Sequence, residues 1–280
     1  MSERISMERF DGRTAFVTGG AQGIGLGIAR ALAAAGAKVA IADVNRDALA
    51  AAEKELSART DATAIELDVR DRDAYARAAD AVEGRLGPVT LLFNNAGVAG
   101  GVAAAQMNYR SWDWVIGINV QGVYNGVQTF VPRMIAGGRG GYVVNTASGA
   151  GLVATSSGFL YTTSKFAVVG LSEALHLELV RHDIGVSVLC PGPVATKIVR
   201  NTVALNPDRA AAAPSADVAS RVAATEAFLA AGTPPDAVGE MVLSAMRVGR
   251  LHIYTDDMME PLIKRRTEQL LAALPSVLKS

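Results

Sequence analysis

Tyr161 and Lys165 stand four residues apart in "FLYTTSKFA" (159–167), a stretch that reads as the opening of a helix. At that spacing two side chains share one helix face, about 5–6 Å apart at Cβ. A phenol beside an ammonium is a candidate proton acceptor. Free tyrosine, with a pKa of about 10, is almost wholly protonated near neutrality; a lowering of roughly 2–3 units, or about 3–4 kcal/mol, makes it a usable base. Oxidation of a secondary alcohol by hydride transfer requires such a base to take the hydroxyl proton. The same spacing also describes an ordinary amphipathic edge with the lysine stem lying on apolar surface. Ser148, thirteen residues before the tyrosine, closes an apolar run. Its hydroxyl can hold a substrate oxygen, or it simply ends a strand ahead of the "GAG" turn.

The elements that must position these groups are legible as an alternation. Short apolar runs at 14–19, 38–43, 63–69, 89–97, 141–148, 185–192 and 250–255 are separated by helix-length segments such as "GIGLGIARALAAAG" and "RDALAAAEKELSAR". A longer helix is expected from about Ser111 to Ile135. That rhythm is the mark of βαβ units, and runs apolar on successive residues belong to a sheet covered on both faces. The expected fold is one doubly wound α/β domain over residues 1–280, binding ligands beyond the carboxyl ends of its strands. An alanine-rich stretch at about 197–239 interrupts the rhythm and reads as a substrate lid, with a plain surface helix pair as its alternative.

"TGGAQGIG" (18–25) follows the first strand and opens the first helix. Gly19, Gly23 and Gly25 let the backbone turn tightly and approach a pyrophosphate, and the helix N-terminus offers free N–H groups to it. The spacing is G-x-x-x-G-x-G, and glycine in a strand-to-helix turn also has purely structural uses. Asp43, ending the second strand, lies where a ribose-binding carboxylate belongs, although either Asp43 or Asn45 could instead cap the following helix. A carboxylate there accepts from both adenosine ribose hydroxyls and repels a 2′-phosphate. With Gln22 inside the loop and Val44 after the aspartate, no counter-charge is at hand, so NAD is preferred to NADP.

Composition narrows the partners. Of 280 residues, 50% are hydrophobic and 19% charged, with 27 lysines and arginines against 27 aspartates and glutamates. That balance implies a large core and no nucleic-acid partner. The charged start "MSERISMERFDGR" has no apolar signal segment, and no run approaches the roughly 18 apolar residues of a spanning helix, so a soluble cytoplasmic protein with no membrane partner is expected. One cysteine, Cys190, and three scattered histidines give no metal-ligand spacing. Cys190 reads as a small buried hydrophobe.

Over roughly residues 10–196 the chain resembles the short-chain dehydrogenase/reductase family. Five segments match in order: "TGGAQGIG", "LDV" ending in Asp68 and Val69, "NNAG" (94–97), Ser148 with Tyr161 and Lys165, and "PGPVAT" (191–196). Gly20, where alanine is common in that family, is a small departure. The resemblance implies a seven-stranded Rossmann-like sheet and a catalytic set of Asn119, Ser148, Tyr161 and Lys165. It implies that Lys165 also contacts the nicotinamide ribose and that Asn119 helps hold a water that leads protons away. Read from its own surroundings, Asn119 in "WDWVIGINVQGV" could equally be bonded to local backbone. For the cofactor the resemblance implies Gly19, Gln22, Gly23, Ile24 and Gly25 at the phosphates, Asp43, Asp68 and Val69 on the adenosine side, and Asn95, Ala96 and Gly97 along the cleft. Pro191, Gly192, Val194 and Thr196 would meet the nicotinamide carboxamide. The helices beginning near Ser111 and Phe159 commonly form subunit contacts in that family, which implies a homodimer or homotetramer.

The substrate walls are expected from 98–101, from Leu152, Val153, Phe159 and Leu160, and from the lid. Leu152, Val153, Phe159 and Leu160 include no cation for a carboxylate or phosphate, which points to a lipophilic secondary alcohol, with or without a ring, or its ketone. The C-terminal stretch resembles a branch that includes oxidoreductases of bulky aromatic or terpenoid alcohols. An NADPH-dependent carbonyl reductase and a non-catalytic dinucleotide-binding regulator are the alternatives.

Overall fold

The computed structural model describes residues 4–100, 104–155, 157–207 and 216–275. Seven strands form one parallel sheet: β1 Thr14–Thr18, β2 Lys38–Asp43, β3 Ala62–Glu66, β4 Val89–Asn94, β5 Gly141–Thr146, β6 Ile184–Cys190 and β7 His252–Tyr254, in the order β3-β2-β1-β4-β5-β6-β7. The chain reverses direction of winding between β1 and β4, so a crevice opens where the loops after these two strands diverge. All seven expected strands are present; the predicted ends overran by a few residues because "NAG", "AS" and "PG" continue the apolar or small-residue pattern into the binding loops.

Helices cover both faces. On one lie α1 (Gly23–Ala34), α2 (Arg46–Ser57) and α9 (Pro235–Arg247), with Ile28, Leu32, Leu56, Val238, Val242 and Met246 packed on Val39 and Ile41. On the other lie α3 (Arg72–Leu86), α5 (Gly122–Gly137) and α6 (Phe159–Leu179), with Tyr75, Phe130 and Leu179 around Phe16 and Leu92. The remaining helices are α4 (Tyr109–Ile116), α7 (Ile198–Leu205), α8 (Ala216–Ala230) and α10 (Glu260–Ala272).

The expected lid at 197–239 is too long. A Cβ on Gly27 would lie 2.1 Å from the Pro235 carbonyl oxygen, and one on Gly239 would lie 2.3 Å from the Gly27 carbonyl oxygen. The backbones of α1 and α9 therefore touch, and α9 packs into the core through Val238 and Val242; Pro235, at its start, still lines the crevice with α7 and α8. The expected 111–135 helix also differs. It runs from Tyr109 to Gly137 but is broken into α4 and α5 by a π turn at Gly117–Gln121, which carries Asn119. Such one-residue insertions recur at functional sites and leave little trace in helix propensity.

Between the layers, a chain of buried polar groups crosses the sheet. Tyr75 donates to Asn94 Oδ1 (3.3 Å), Asn94 Nδ2 to Asn145 Oδ1 (2.9 Å), Asn145 Nδ2 to Ser172 Oγ (3.0 Å), and Ser172 Oγ to the Val168 carbonyl (2.7 Å). Removing a link leaves neighbours buried without partners, each costing about 1–3 kcal/mol. Asn94→Ala is expected to lower unfolding free energy by about 3 kcal/mol in urea titrations; a loss below about 1 kcal/mol would show the chain to be dispensable.

Candidate active site

The crevice is a cavity of about 790 Å³ at the carboxyl ends of the central strands. It is lined by most of the predicted cofactor residues: Gly19, Gln22, Gly23, Ile24, Asp43, Asp68, Val69, Asn95, Ala96, Gly97, Tyr161, Lys165, Pro191, Gly192, Val194 and Thr196, together with Ser148. Gly25 does not face it. A Cβ at Gly25 would sit 2.1 Å from the Gly19 carbonyl oxygen and 2.6 Å from Asn95 Nδ2, so this glycine lets the helix close onto its own loop. Gly19 (φ 61°) and Gly23 (φ 57°) hold left-handed backbone on either side of Gln22. Gln22, the N-cap of α1, provides no side-chain cap, leaving the first N–H groups of the helix for an anion. These features fit a dinucleotide pyrophosphate, and Thr196 closes over them, its Cγ2 3.2 Å from where a Cβ on Gly23 would be.

On the adenosine side the two readings of Asp43 separate. Asn45 caps α2, accepting from Ala48 N at 3.0 Å. Asp43 instead accepts from Asn45 N (3.1 Å) and weakly from Ala21 N (3.4 Å), tying β2 to the glycine loop while keeping its carboxylate on the cavity. The nearest cation in sequence, Arg46, is paired with Glu66 at 2.6 Å. Across the cavity Asp68 is clasped by Arg70 at 2.6 Å, and that hydrogen-bonded guanidinium holds the carboxyl below its ordinary value.

"NNAG" divides its work. Asn95 donates to the carbonyls of Thr18 (3.1 Å) and Gly19 (3.3 Å) and accepts from Thr146 Oγ1 (3.3 Å), bracing the glycine loop against β5. Thr18, which carried no functional signal in the sequence, accepts from the backbone N–H groups of Asn95 (2.9 Å) and Ala96 (3.1 Å). Asn119 is fully buried, its Oδ1 accepting from Val98 N (2.9 Å) and its Nδ2 donating to Val98 O (2.9 Å) and Ser164 Oγ (3.1 Å). Its side chain is thereby fully committed to positioning the loop after β4, and holding a water would fall to its backbone.

Helix α6 brings Tyr161 and Lys165 onto the cavity, with Lys165 Nζ 5.6 Å from the phenol ring centre and hydrogen-bonded to the Thr146 carbonyl (3.0 Å). Ser148, two residues past the end of β5, faces the same space and also accepts from Ala150 N (3.2 Å), capping the short turn at 149–151. Burial pushes the Tyr161 phenol up, only partly opposed by its hydrogen bond from Ser148, and burial drives Lys165 down to about 8. Desolvation penalises both charged forms at once, so the protein alone does not produce a phenolate.

A measurable consequence follows for Lys165. Its folded pKa lies below its ordinary 10.5, so between about pH 8 and 10.5 the unfolded chain binds the extra proton and stability attributable to Lys165 rises with pH. At neutral pH the strain amounts to about 3 kcal/mol. Lys165→Met should therefore melt higher than the parent at pH 7, by an increment that shrinks as pH rises to 10; an increment independent of pH would refute this.

The predicted substrate wall is displaced. Leu160 is buried among Val98, Trp114 and Val115, with Phe159 packed against the same cluster, and Leu152 packs on Val123, Ala147 and Val168. Val153 is buried as well, because the turn at 149–151 folds the segment inward. None of the four lines the cavity, and Gly101 and Ser156 lie outside the described residues. The wall is instead Val98, Trp114 and Ile118 on one side and Ile198, Asn201, Ala204, Leu205 and Leu229 of α7 and α8 on the other. The spacing 198, 201, 205 was the available signal, one face of a short helix.

Among the described residues no cluster of His, Cys, Asp or Glu could hold a metal ion, and no helix is long and apolar enough to cross a membrane. A parallel sheet with a phosphate loop at its winding reversal and a phenol, an ammonium and a hydroxyl beyond it defines a nicotinamide dinucleotide-dependent oxidoreductase. The short chain dehydrogenase family model matches residues 13–206. C alpha-dehydrogenase of Sphingobium sp. is 36% identical over 249 residues, 88% of this chain and 81% of the relative. Sorbitol dehydrogenase of Cereibacter sphaeroides is 39% identical over 186 residues, 66% of this chain and 72% of the relative. A short chain dehydrogenase/reductase from Burkholderia phymatum, solved in complex with NAD, superposes with a TM-score of 0.89 at 32% identity, covering 96% of this chain and 98% of that one. The chain belongs to the short-chain dehydrogenase/reductase family and is an oxidoreductase of alcohols or ketones.

Proposed function

We propose that this protein is an NAD-dependent dehydrogenase that interconverts a lipophilic, aromatic or cyclic secondary alcohol and its ketone. The observation that carries the reading is the wall facing Ser148 and Tyr161, which is built from Val98, Trp114, Ile118, Ile198, Leu205 and Leu229. Apolar walls of this kind favour hydrocarbon bulk over polyols. Asp43 beside the cavity and the engagement of Arg46 with Glu66 support NAD over NADP. C alpha-dehydrogenase and the NAD-bound Burkholderia structure are in keeping with both parts.

Bound NAD supplies the hydride acceptor and a positive charge in the cleft. Ser148 Oγ holds the substrate oxygen, and Tyr161 takes the hydroxyl proton as the carbinol hydrogen departs. Lys165, which lines the same cavity, would stabilise the developing phenolate and help to hold the cofactor. Asn119 fixes Val98 and hence the cleft floor. Lys197, exposed, lines the same cavity between Thr196 and Ile198.

Tyr109, Trp112, Tyr124 and Leu177 are exposed on α4, α5 and α6. They support a homodimer or homotetramer, which light scattering would detect; a monomer at assay concentration counts against it. The function itself is tested by a panel of aryl, terpenoid and polyol alcohols and their ketones, followed by NADH or NADPH absorbance. Turnover of the lipophilic alcohols with NAD is expected. A preference for NADP, or turnover of polyols alone, would overturn the reading.

A further inference from the structure

The lid helix carries one polar group on an otherwise apolar face. Ile198, Asn201, Ala204 and Leu205 of α7 all line the cavity, and Asn201 lies three residues after Ile198 and four before Leu205. Its neighbour Thr202 accepts a hydrogen bond from Ala99 N at 2.8 Å through its hydroxyl, which ties α7 to the loop after β4 and fixes the face that Asn201 shares. The other asparagines around the crevice are engaged: Asn45 caps α2, Asn95 bridges Thr18 and Gly19, and Asn119 holds Val98. The Asn201 side-chain amide has no hydrogen-bond partner among the described residues, and it is only partly exposed.

We propose that Asn201 is a specificity-determining residue that binds an oxygen substituent on the part of the substrate remote from the reacting carbinol. The substrate class is then the oxygenated, ring-bearing secondary alcohols rather than plain hydrocarbon ones. An amide offers both donors and an acceptor, so it accepts a hydroxyl, ether or carbonyl oxygen equally well. When a substrate fills the cavity, water leaves this wall, and an amide left unpaired there costs more than its hydrogen bond is worth in water. A hydrocarbon ring incurs that cost, whereas an oxygenated ring avoids it. Trp114 and Leu205 add apolar surface to the same cavity. The inference rests on the secondary-alcohol reading above and adds the polar end of the substrate to it.

The test compares 1-phenylethanol with its 4-hydroxy and 4-methoxy counterparts. Because paired alcohols meet the same enzyme and cofactor complex, effects on folding or cofactor binding cancel in the ratio of their kcat/KM values. The parent protein is expected to favour the oxygenated alcohols by about 5- to 10-fold. Asn201→Leu, close in volume and compatible with a helix, should bring the ratio to near unity, and Asn201→Ser should restore part of it. Calorimetric titration with the corresponding ketones reads the same ratio without turnover. A ratio unchanged in Asn201→Leu, or no preference in the parent protein, would each overturn the inference. If the parent turns over hydrocarbon alcohols but shows no preference, the dehydrogenase reading stands and this assignment falls; if no alcohol is oxidised yet the ketone ratio collapses in Asn201→Leu, the reverse holds.

Discussion

Tyr161→Phe is expected to lower kcat/KM for any alcohol this protein oxidises by about 10²–10⁴-fold, the usual contribution of a positioned general base. The change removes one hydroxyl and keeps the ring, so the packing around α6 and the Lys165 hydrogen bond to Thr146 are preserved. NADH affinity should therefore stay within a few-fold, and the deficit should fall on kcat. The loss is expected to be larger than for Ser148→Ala, because Ser148 stabilises charge whereas the tyrosine moves the proton. Single-turnover measurements with a carbinol-deuterated alcohol separate the step from product release. If Tyr161→Phe retained more than a tenth of parental kcat, the phenol would not be the base, and a water on Lys165 would have to be considered in its place.

Gly25→Val should be the most damaging change in the cofactor site, even though Gly25 does not line the cavity. A Cβ there would lie 2.1 Å from the Gly19 carbonyl oxygen and 2.8 Å from its carbonyl carbon, both backbone atoms that cannot yield without opening the loop. The expected result is NADH binding weakened by more than about 100-fold and stability reduced by about 1–3 kcal/mol, as for overpacking elsewhere. Gly84, on α3, is the control: a Cβ there meets nothing within 4 Å. Gly84→Ala should raise stability by about 0.8 kcal/mol through helix propensity alone. Near-parental NADH affinity in Gly25→Val would show that the loop moves freely and that its close packing is incidental.

Local patterns sufficed for much of this molecule. The seven apolar runs, the turn glycines at 19 and 23 and the acid at 43 can be read from the chain, because burial on both sheet faces and positive φ constrain residue type position by position. The order of the matching segments likewise placed Ser148, Tyr161 and Lys165 on one cavity. What a linear pattern does not contain is which apolar residues meet which space. Leu160 and Phe159 look like a cavity wall beside Tyr161, yet a helix turns them about 100° per residue away from it and into the cluster with Trp114. Val238 and Gly239 look like a continuation of the alanine-rich lid, and the backbone contact with Gly27 shows that they are core.

The sequence by itself determined the fold class and the alternation of strands with helices, since each depends on residue type at short range. Tertiary structure decided the rest. It inserted the π turn that sends the Asn119 side chain to Val98, and it set α7 over the crevice with Asn201 facing in. It also buried Tyr161 and Lys165, and that desolvation pushes the phenol up and the ammonium down. These are properties of groups brought together from distant parts of the chain in a low-dielectric space, and their energies depend on distances and burial that no spacing along the sequence specifies.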